Sequence, residues 1–187
     1  MQRRFCWSLI VLLLLAACAQ QPPREVRRPS RETIAAYVLE GRVSVKRGSE
    51  ARQASITWQH GVDRDDMELS GPLGQQAARL SRDASGARLD TAARETFAAA
   101  DWGSLAERVL GVALPLDNIA QWVTATVAAD ARVERDAMGR PQRVWVDGWR
   151  IDYLAYESDS TDALPTLLTL HRDDIDVRLK IDQWQIG

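Results

Sequence analysis

From Leu39 onward, the apolar residues of this chain recur at every second position. Leu39, Gly41, Val43 and Val45 alternate with Glu40, Arg42, Ser44 and Lys46. Ala54, Ile56 and Trp58 alternate with Gln53, Ser55, Thr57 and Gln59, and Met67 and Leu69 with Asp66, Glu68 and Ser70. The same period runs through 76–82, 87–91, 144–148, 149–156, 166–171 and 176–184. A period of two puts successive side chains on opposite faces of a strand, so each segment has one apolar and one wet face. That is the pattern of antiparallel sheet. Arg47-Gly48-Ser49, Ser85-Gly86 and Met138-Gly139-Arg140 supply short turns between segments. So many short strands predict a mainly β domain, built as a barrel or a strongly curved sheet.

Two stretches change to helical spacing. Residues 101–111 place Leu105, Val109 and Leu110 on one side, with Asp101 as N-cap and Gly111 as a left-handed stop. Residues 115–125 place Leu116, Ile119, Ala120 and Val123 together, with Trp122 beside them. Both are apolar enough to pack on the sheet and to close the open end of an incomplete barrel. Ser30, followed by Glu32, Thr33, Ile34 and Ala35, could start a short helix.

Length and charge then bound the function. With 187 residues, 45% of them hydrophobic, the chain holds one ordinary domain. Its net charge of −2 excludes a protein that works by coating nucleic acid, which needs a basic face. The two cysteines, Cys6 and Cys18, both precede the β-rich body. A disulfide framework, a Cys-ligated zinc site and a thiol nucleophile in that body are thereby excluded. No Gly-x-Ser-x-Gly elbow, Gly-rich phosphate loop or His-Glu-x-x-His is present. Asp63, Asp65 and Asp66, the group Glu157, Asp159 and Asp162, and the group Asp173, Asp174 and Asp176 could each hold an acid–base pair or calcium. Each group falls in an expected turn, where solvated charge that blunts edge pairing is the stronger reading. His60 and His171 fall at strand ends and read as exposed polar residues. No catalytic or metal-binding residue is expected, and the chain does not read as an enzyme.

The N-terminus carries its own pattern. Arg3 and Arg4 precede an apolar run from Leu9 that ends in Leu15-Ala16-Ala17-Cys18. This layout is an export signal, and the run is too short to span a bilayer. Its small-small-Cys ending resembles a bacterial lipoprotein signal with a lipobox. The resemblance implies cleavage before Cys18 and acyl groups held covalently on that residue. It also implies outer-membrane sorting, because Ala19 stands where Asp would retain the protein in the inner membrane. The expected division is 1–17 as signal peptide, 18–29 as lipidated N-terminus and linker, and 30–187 as one domain. Gln20, Gln21, Pro22, Pro23 and Pro29 make the linker extended. Arg24, Arg27, Arg28 and Arg31 cluster near the anchor, where they either favour anionic lipid or form a solvated charge run.

Several motifs then occur in order. Gly41-Arg42-Val43 opens the first strand and Trp58 closes the second. Leu69-Ser70-Gly71-Pro72-Leu73-Gly74-Gln75 joins two strands. Gly111-x-x-Leu114-Pro115 precedes the helix bearing Trp122. Gly148-Trp149-x-x-x-Tyr153 begins a late strand, Pro165 another, and Val177-Arg178-Leu179-x-Ile181-x-x-Trp184 ends the chain. Together with the lipoprotein signal, this set resembles the LolB family of outer-membrane lipoprotein receptors over nearly the whole chain. One departure is Ala125, where the family pattern has Gly three residues after the helix Trp.

The resemblance implies a half-open antiparallel β-barrel with helices as a lid over a hydrophobic cavity. It implies a receptor that accepts lipoproteins from the soluble periplasmic carrier LolA and inserts them into the inner leaflet of the outer membrane. The partners implied are that carrier, the acyl chains of cargo and the leaflet itself, with no nucleic acid. No cofactor is implied beyond the acyl groups on Cys18, and a monomer is expected on the periplasmic face of the outer membrane. Candidate cavity residues are Val43, Val45, Ile56, Trp58 and Met67, then Leu69, Trp122, Val146, Trp149 and Tyr153. Any one of these large side chains could instead fill a solid core, as in an envelope scaffold lipoprotein. Leu73 stands apart, because an apolar residue held between Pro72 and Gly74 is unusual at a turn tip. The resemblance implies that it projects toward the membrane; the alternative is that it folds back on the sheet. An acidic mouth including some of Asp63, Asp65 and Asp66 is expected to dock a basic carrier rim.

Overall fold

The computed structural model describes residues 28–110 and 116–187. Strands β1 (Tyr37–Arg47), β2 (Glu50–His60), β3 (Asp65–Ser70), β4 (Gln76–Asp83), β5 (Gly86–Thr91) and β6 (Thr96–Ala99) come first. Helices α1 (Trp102–Leu110) and α2 (Leu116–Trp122) follow. Strands β7 (Arg132–Arg135), β8 (Pro141–Val146), β9 (Trp149–Tyr156), β10 (Pro165–Arg172) and β11 (Ile175–Ile186) complete the chain. They form one eleven-stranded sheet in the order β6-β5-β4-β3-β2-β1-β11-β10-β9-β8-β7. Every pairing is antiparallel. Two hairpin meanders thus meet along β1 and β11, and the ends β6 and β7 do not pair, so the barrel stays open as expected.

The alternation decides which face is covered. Direct partners Trp184, Leu39, Trp58, Met67, Leu80, Leu89 and Phe97 form one row across seven strands. Val43, Leu179, Leu168 and Tyr153 form another on the second wing. The larger apolar cluster draws on both rows, on Trp122 at the end of α2 and on Val123 just beyond it. A smaller cluster joins Ala87 and Leu89 to Trp102 and Leu105 of α1, with Leu80 touching both clusters. Burying one such side chain stabilises by about 1.5–3 kcal/mol, so helices and sheet hold each other.

Departures from strict alternation sit at bulges. Gly41 pairs with Ile181 while Glu40 pairs with Gln183, which leaves Asp182 as an extra residue on β11. That extra residue lets Ile181 and Trp184 both face inward although they are three apart. Here the two backbones close in: a Cβ on Gly41 would stand 2.1 Å from the Lys180 carbonyl oxygen. Gly41→Ala should therefore cost roughly 2–3 kcal/mol, the scale of a steric overpacking, read as a lower urea midpoint.

Three local expectations need correction. β6 and β7 were not among the expected strands, because four residues are too few to display a period. The N-terminal helix is only a 3-10 turn over Arg31–Thr33. The Ser30 hydroxyl bonds the Glu32 carboxylate and gives no side-chain cap. Residues 144–148 do not run on as strand: β8 stops at Val146, and Asp147 and Gly148 turn the chain with φ of 51° and 76°. The Asp101 cap is present, accepting from the Ser104 N–H at 2.7 Å. Helix α2 stops at Trp122, short of Ala125. Its closure has Ala125 N–H on the Trp122 carbonyl (3.0 Å) and Thr126 N–H on the Gln121 carbonyl (3.1 Å). This pair of bonds requires a left-handed residue, and Ala125 takes that role at φ 60°. The departure at Ala125 therefore leaves the helix stop in place, with an alanine in a conformation that glycine adopts more easily. Gly111, Leu114 and Pro115 lie outside the described residues.

Candidate functional site: an apolar face and an exposed loop tip

The nine sheet residues expected to line a cavity all lie on the helix-covered face. Val43, Val45, Ile56, Trp58, Met67 and Leu69 are joined through β1–β2–β3 register, and Val146, Trp149 and Tyr153 through β8–β9–β10–β11. Trp122 reaches the same face from α2, with its ring 6.3 Å from that of Trp149. Their surroundings differ. Ile56, Trp58, Met67, Trp122, Trp149 and Tyr153 are buried in the main cluster. Val43, Leu69 and Val146 are half-buried against it, and Val45 is half-buried outside it. So the wing under α2 is sealed, whereas an apolar strip from Val43 and Val45 to Leu69 is only partly covered.

Two tyrosines hold α2 over that face. The Tyr37 hydroxyl donates to the Ala120 carbonyl at 3.1 Å, and the Tyr153 hydroxyl to the Trp122 carbonyl at 2.8 Å. Burial pushes both phenols well above their ordinary range, so both remain neutral donors. Sequence reading missed Tyr37, although it continues the β1 alternation two places before Leu39. Tyr37 also meets Trp58 and Trp184 edge to face, at 5.7 and 5.3 Å between ring centres.

Beside these rings lies a buried carboxylate. Asp65 is 1% exposed. It accepts from Trp58 Nε1 (2.9 Å) and Arg82 Nε (2.7 Å), and pairs with His60 Nδ1 at 2.6 Å. Burial alone raises the carboxyl; the bonds from His60, Trp58 and Arg82 together outweigh it and hold it below the usual carboxylate range. Two of the three acids expected at a docking mouth are thus engaged within the fold. Asp65 is structural, Asp66 is paired with Arg79 at 2.5 Å, and Asp63 alone of the three is exposed. His60 belongs to this network and is not an exposed strand-end residue. Glu157 is not a solvated turn charge either, since it binds Arg28 through Nε at 3.0 Å and Nη2 at 2.5 Å. Among the described residues, no group of three His, Cys, Asp or Glu is placed to hold a metal ion.

The β3–β4 loop is built to present its tip. The Gly74 N–H donates to the Gly71 carbonyl, and the Gly71 N–H to the Gln75 carbonyl, each at 2.9 Å. Gly74 is left-handed at φ 78°. The Leu73 N–H is tied to Gln75 Oε1 at 3.1 Å. Pro72 and Gly74 are exposed beside it, and Leu73 is 93% exposed, more than any other large apolar residue described. It does not fold back on the sheet. Cys18 lies outside the described residues.

An open antiparallel sheet roofed on its apolar face by two helices defines a fold class already represented by solved structures. A LolA superfamily protein from Nitrosomonas europaea aligns over 87% of this chain and 89% of its own, with a TM-score of 0.51 at 9% identity. A lipoprotein-sorting protein domain from Vibrio parahaemolyticus, described as putative outer membrane, aligns over 83% and 87% with a TM-score of 0.52, also at 9% identity. At such identity the likeness is one of fold alone. The sequence narrows it further. Residues 35–184 match the family described as "Outer membrane lipoprotein LolB". An outer-membrane lipoprotein LolB of Azoarcus is 40% identical over 98% of this chain and 97% of its own length. One of Thiobacillus denitrificans is 38% identical over 80% of each. The chain belongs to the LolB family, the outer-membrane lipoproteins of the lipoprotein-localisation system.

Proposed function

We propose that this protein takes the acyl chains of lipoproteins from a LolA-type periplasmic carrier and releases them into the inner leaflet of the outer membrane, itself anchored through Cys18. The observation that carries this reading is the half-covered apolar strip at Val43, Val45 and Leu69, which lies toward the same end of the sheet as the exposed Leu73. An acyl chain of about fifteen CH₂ groups costs roughly 12 kcal/mol in water, so it must pass from one apolar surface to the next. Displacing α2 would uncover the rest of the face, since Tyr37 and Tyr153 hold its carbonyls by single hydrogen bonds. The chemistry calls for no nucleotide and no catalytic residue.

A scaffold lipoprotein with a solid core is the second reading, favoured by the close packing of Trp58, Trp149 and Leu168. One experiment separates the two. The body beginning at Gln20 is mixed with LolA carrying a lipidated cargo. Cargo should move onto the body, and tryptophan emission should shift as chains enter the face. Cargo that stays with the carrier while the body remains folded would support the scaffold.

A further inference from the structure

From Gly71 to Gly74, the β3–β4 tip leaves no backbone N–H without an acceptor inside the loop. Pro72 has no N–H to satisfy. The Gly71 and Gly74 N–H groups donate to the Gln75 and Gly71 carbonyls. The Leu73 N–H is served by a side chain, donating to Gln75 Oε1 at 3.1 Å. That side chain folds back across the loop. A Cβ on Gly71 would stand 2.8 Å from Gln75 Cδ and closer still to Nε2. Glycine at position 71 therefore makes room for the Gln75 amide, and its own backbone is not left-handed.

In water the Leu73 bond adds little to the fold, because an exposed N–H that loses its acceptor turns to solvent. In hydrocarbon there is no such substitute, and a backbone group that enters must be satisfied from within the protein. A tip that is already ordered also avoids losing backbone entropy at the moment of entry. Charge points the same way. No residue between Glu68 and Arg79 is ionisable. The other hairpin turns at this end carry Arg47 and Glu50, Asp147, or Asp173 and Asp174 in or beside them. Of these turns, the β3–β4 tip is the one whose composition and bonding both suit lipid.

We propose that Gln75 is a positioning residue for membrane release: its side-chain amide takes the Leu73 N–H, so that the tip enters the leaflet as a closed turn with its leucine forward. This role rests on the membrane-release reading above. It separates two tasks in one loop, with Leu73 supplying the apolar surface and Gln75 removing the polar obstacle behind it.

The test uses the body beginning at Gln20. It contains every member of both apolar clusters, which lie between Ile34 and Ile186, and so carries the complete core. The body is loaded with lipidated cargo and mixed with vesicles of phosphatidylethanolamine and phosphatidylglycerol. Gln75→Met keeps the length of the side chain and removes the acceptor. It also makes the tip more apolar, which by partition alone would speed entry. Release should instead fall roughly five- to tenfold, the scale of one N–H left unpaired. The Leu73 amide should exchange with solvent several times faster than in wild type. The urea midpoint should stay within error, because Gln75 is exposed. Gly71→Ala pushes the same amide aside and should reproduce both effects. Added to Leu73→Glu, Gln75→Met should slow release little further, because it acts through the leucine.

An unchanged Leu73 amide in Gln75→Met, or release at the normal rate or faster, would overturn the proposal. Losses that simply add in the double variant would overturn it too. Leu73→Glu tells the two readings apart. If it is slow while Gln75→Met is normal, membrane release through the tip stands without Gln75. If both release normally, the tip has no part in release.

Discussion

Leu73→Glu should cut the release of cargo into liposomes by roughly ten- to a hundredfold while leaving uptake from the carrier intact. The reasoning runs through exposure. At 93% exposed, Leu73 contributes almost nothing to the folded core, so its replacement should leave the unfolding midpoint within experimental error. Its value would appear only when the tip enters lipid, where burying one Leu is worth about 1.5–3 kcal/mol. That is too little to anchor a protein, and enough to bias one loop toward the interface at the moment of release. A factor of ten corresponds to about 1.4 kcal/mol, which sets the expected loss, and the carboxylate adds a desolvation cost in the same direction. Leu73→Met, which keeps the apolar volume, should release cargo normally. A Glu variant that released cargo at the normal rate would remove the loop from the mechanism.

Asp65→Ala should be the most destabilising change in the charged network, at about 3–5 kcal/mol, the cost of stripping one partner from a buried charged cluster. The carboxylate joins Trp58 and His60 of β2 to Arg82 of β4, across β3. Its removal takes away the one acceptor that the indole N–H, the imidazole and the guanidinium share. Asp65→Asn keeps an acceptor oxygen and should cost less. The pH dependence follows from the lowered carboxyl. Because the folded value lies below the unfolded one, near 3.9, the stabilisation is fully present above about pH 4. It is lost as pH falls through the folded value. Wild type should therefore lose more stability between pH 5 and pH 2, in urea titrations, than Asp65→Asn does. Parallel losses in the two proteins would show that acid unfolding is driven elsewhere.

Why some of this was legible in the sequence, and some not, has physical causes. The face assignment of Val43, Trp58, Met67 and Tyr153 needed only a period of two, which an antiparallel strand imposes on every residue. Leu73 stood out because Pro72 and Gly74 leave a turn residue nothing to pack against. What covers an apolar face is a different matter. The same alternation describes Trp149 in a sealed core and Val45 at a half-open rim, because cover comes from α2, far along the chain. Asp65 reads as one more turn charge beside Asp63 and Asp66. Its burial depends on donors from β2 and β4, which no local spacing reveals. The bulge at Asp182 is equally silent, since it is a property of the β1–β11 pairing.

The two outer strands carry a consequence of their own. An open sheet with an apolar face is a template onto which another chain could add strands. Here each outer strand is only four residues long, and three of the four in β7, Arg132, Glu134 and Arg135, are charged. A neighbouring molecule would find about two rungs of hydrogen bonds at either edge and, at β7, a row of charges to desolvate. The sheet can thus stay open without stacking edge to edge into a fibre.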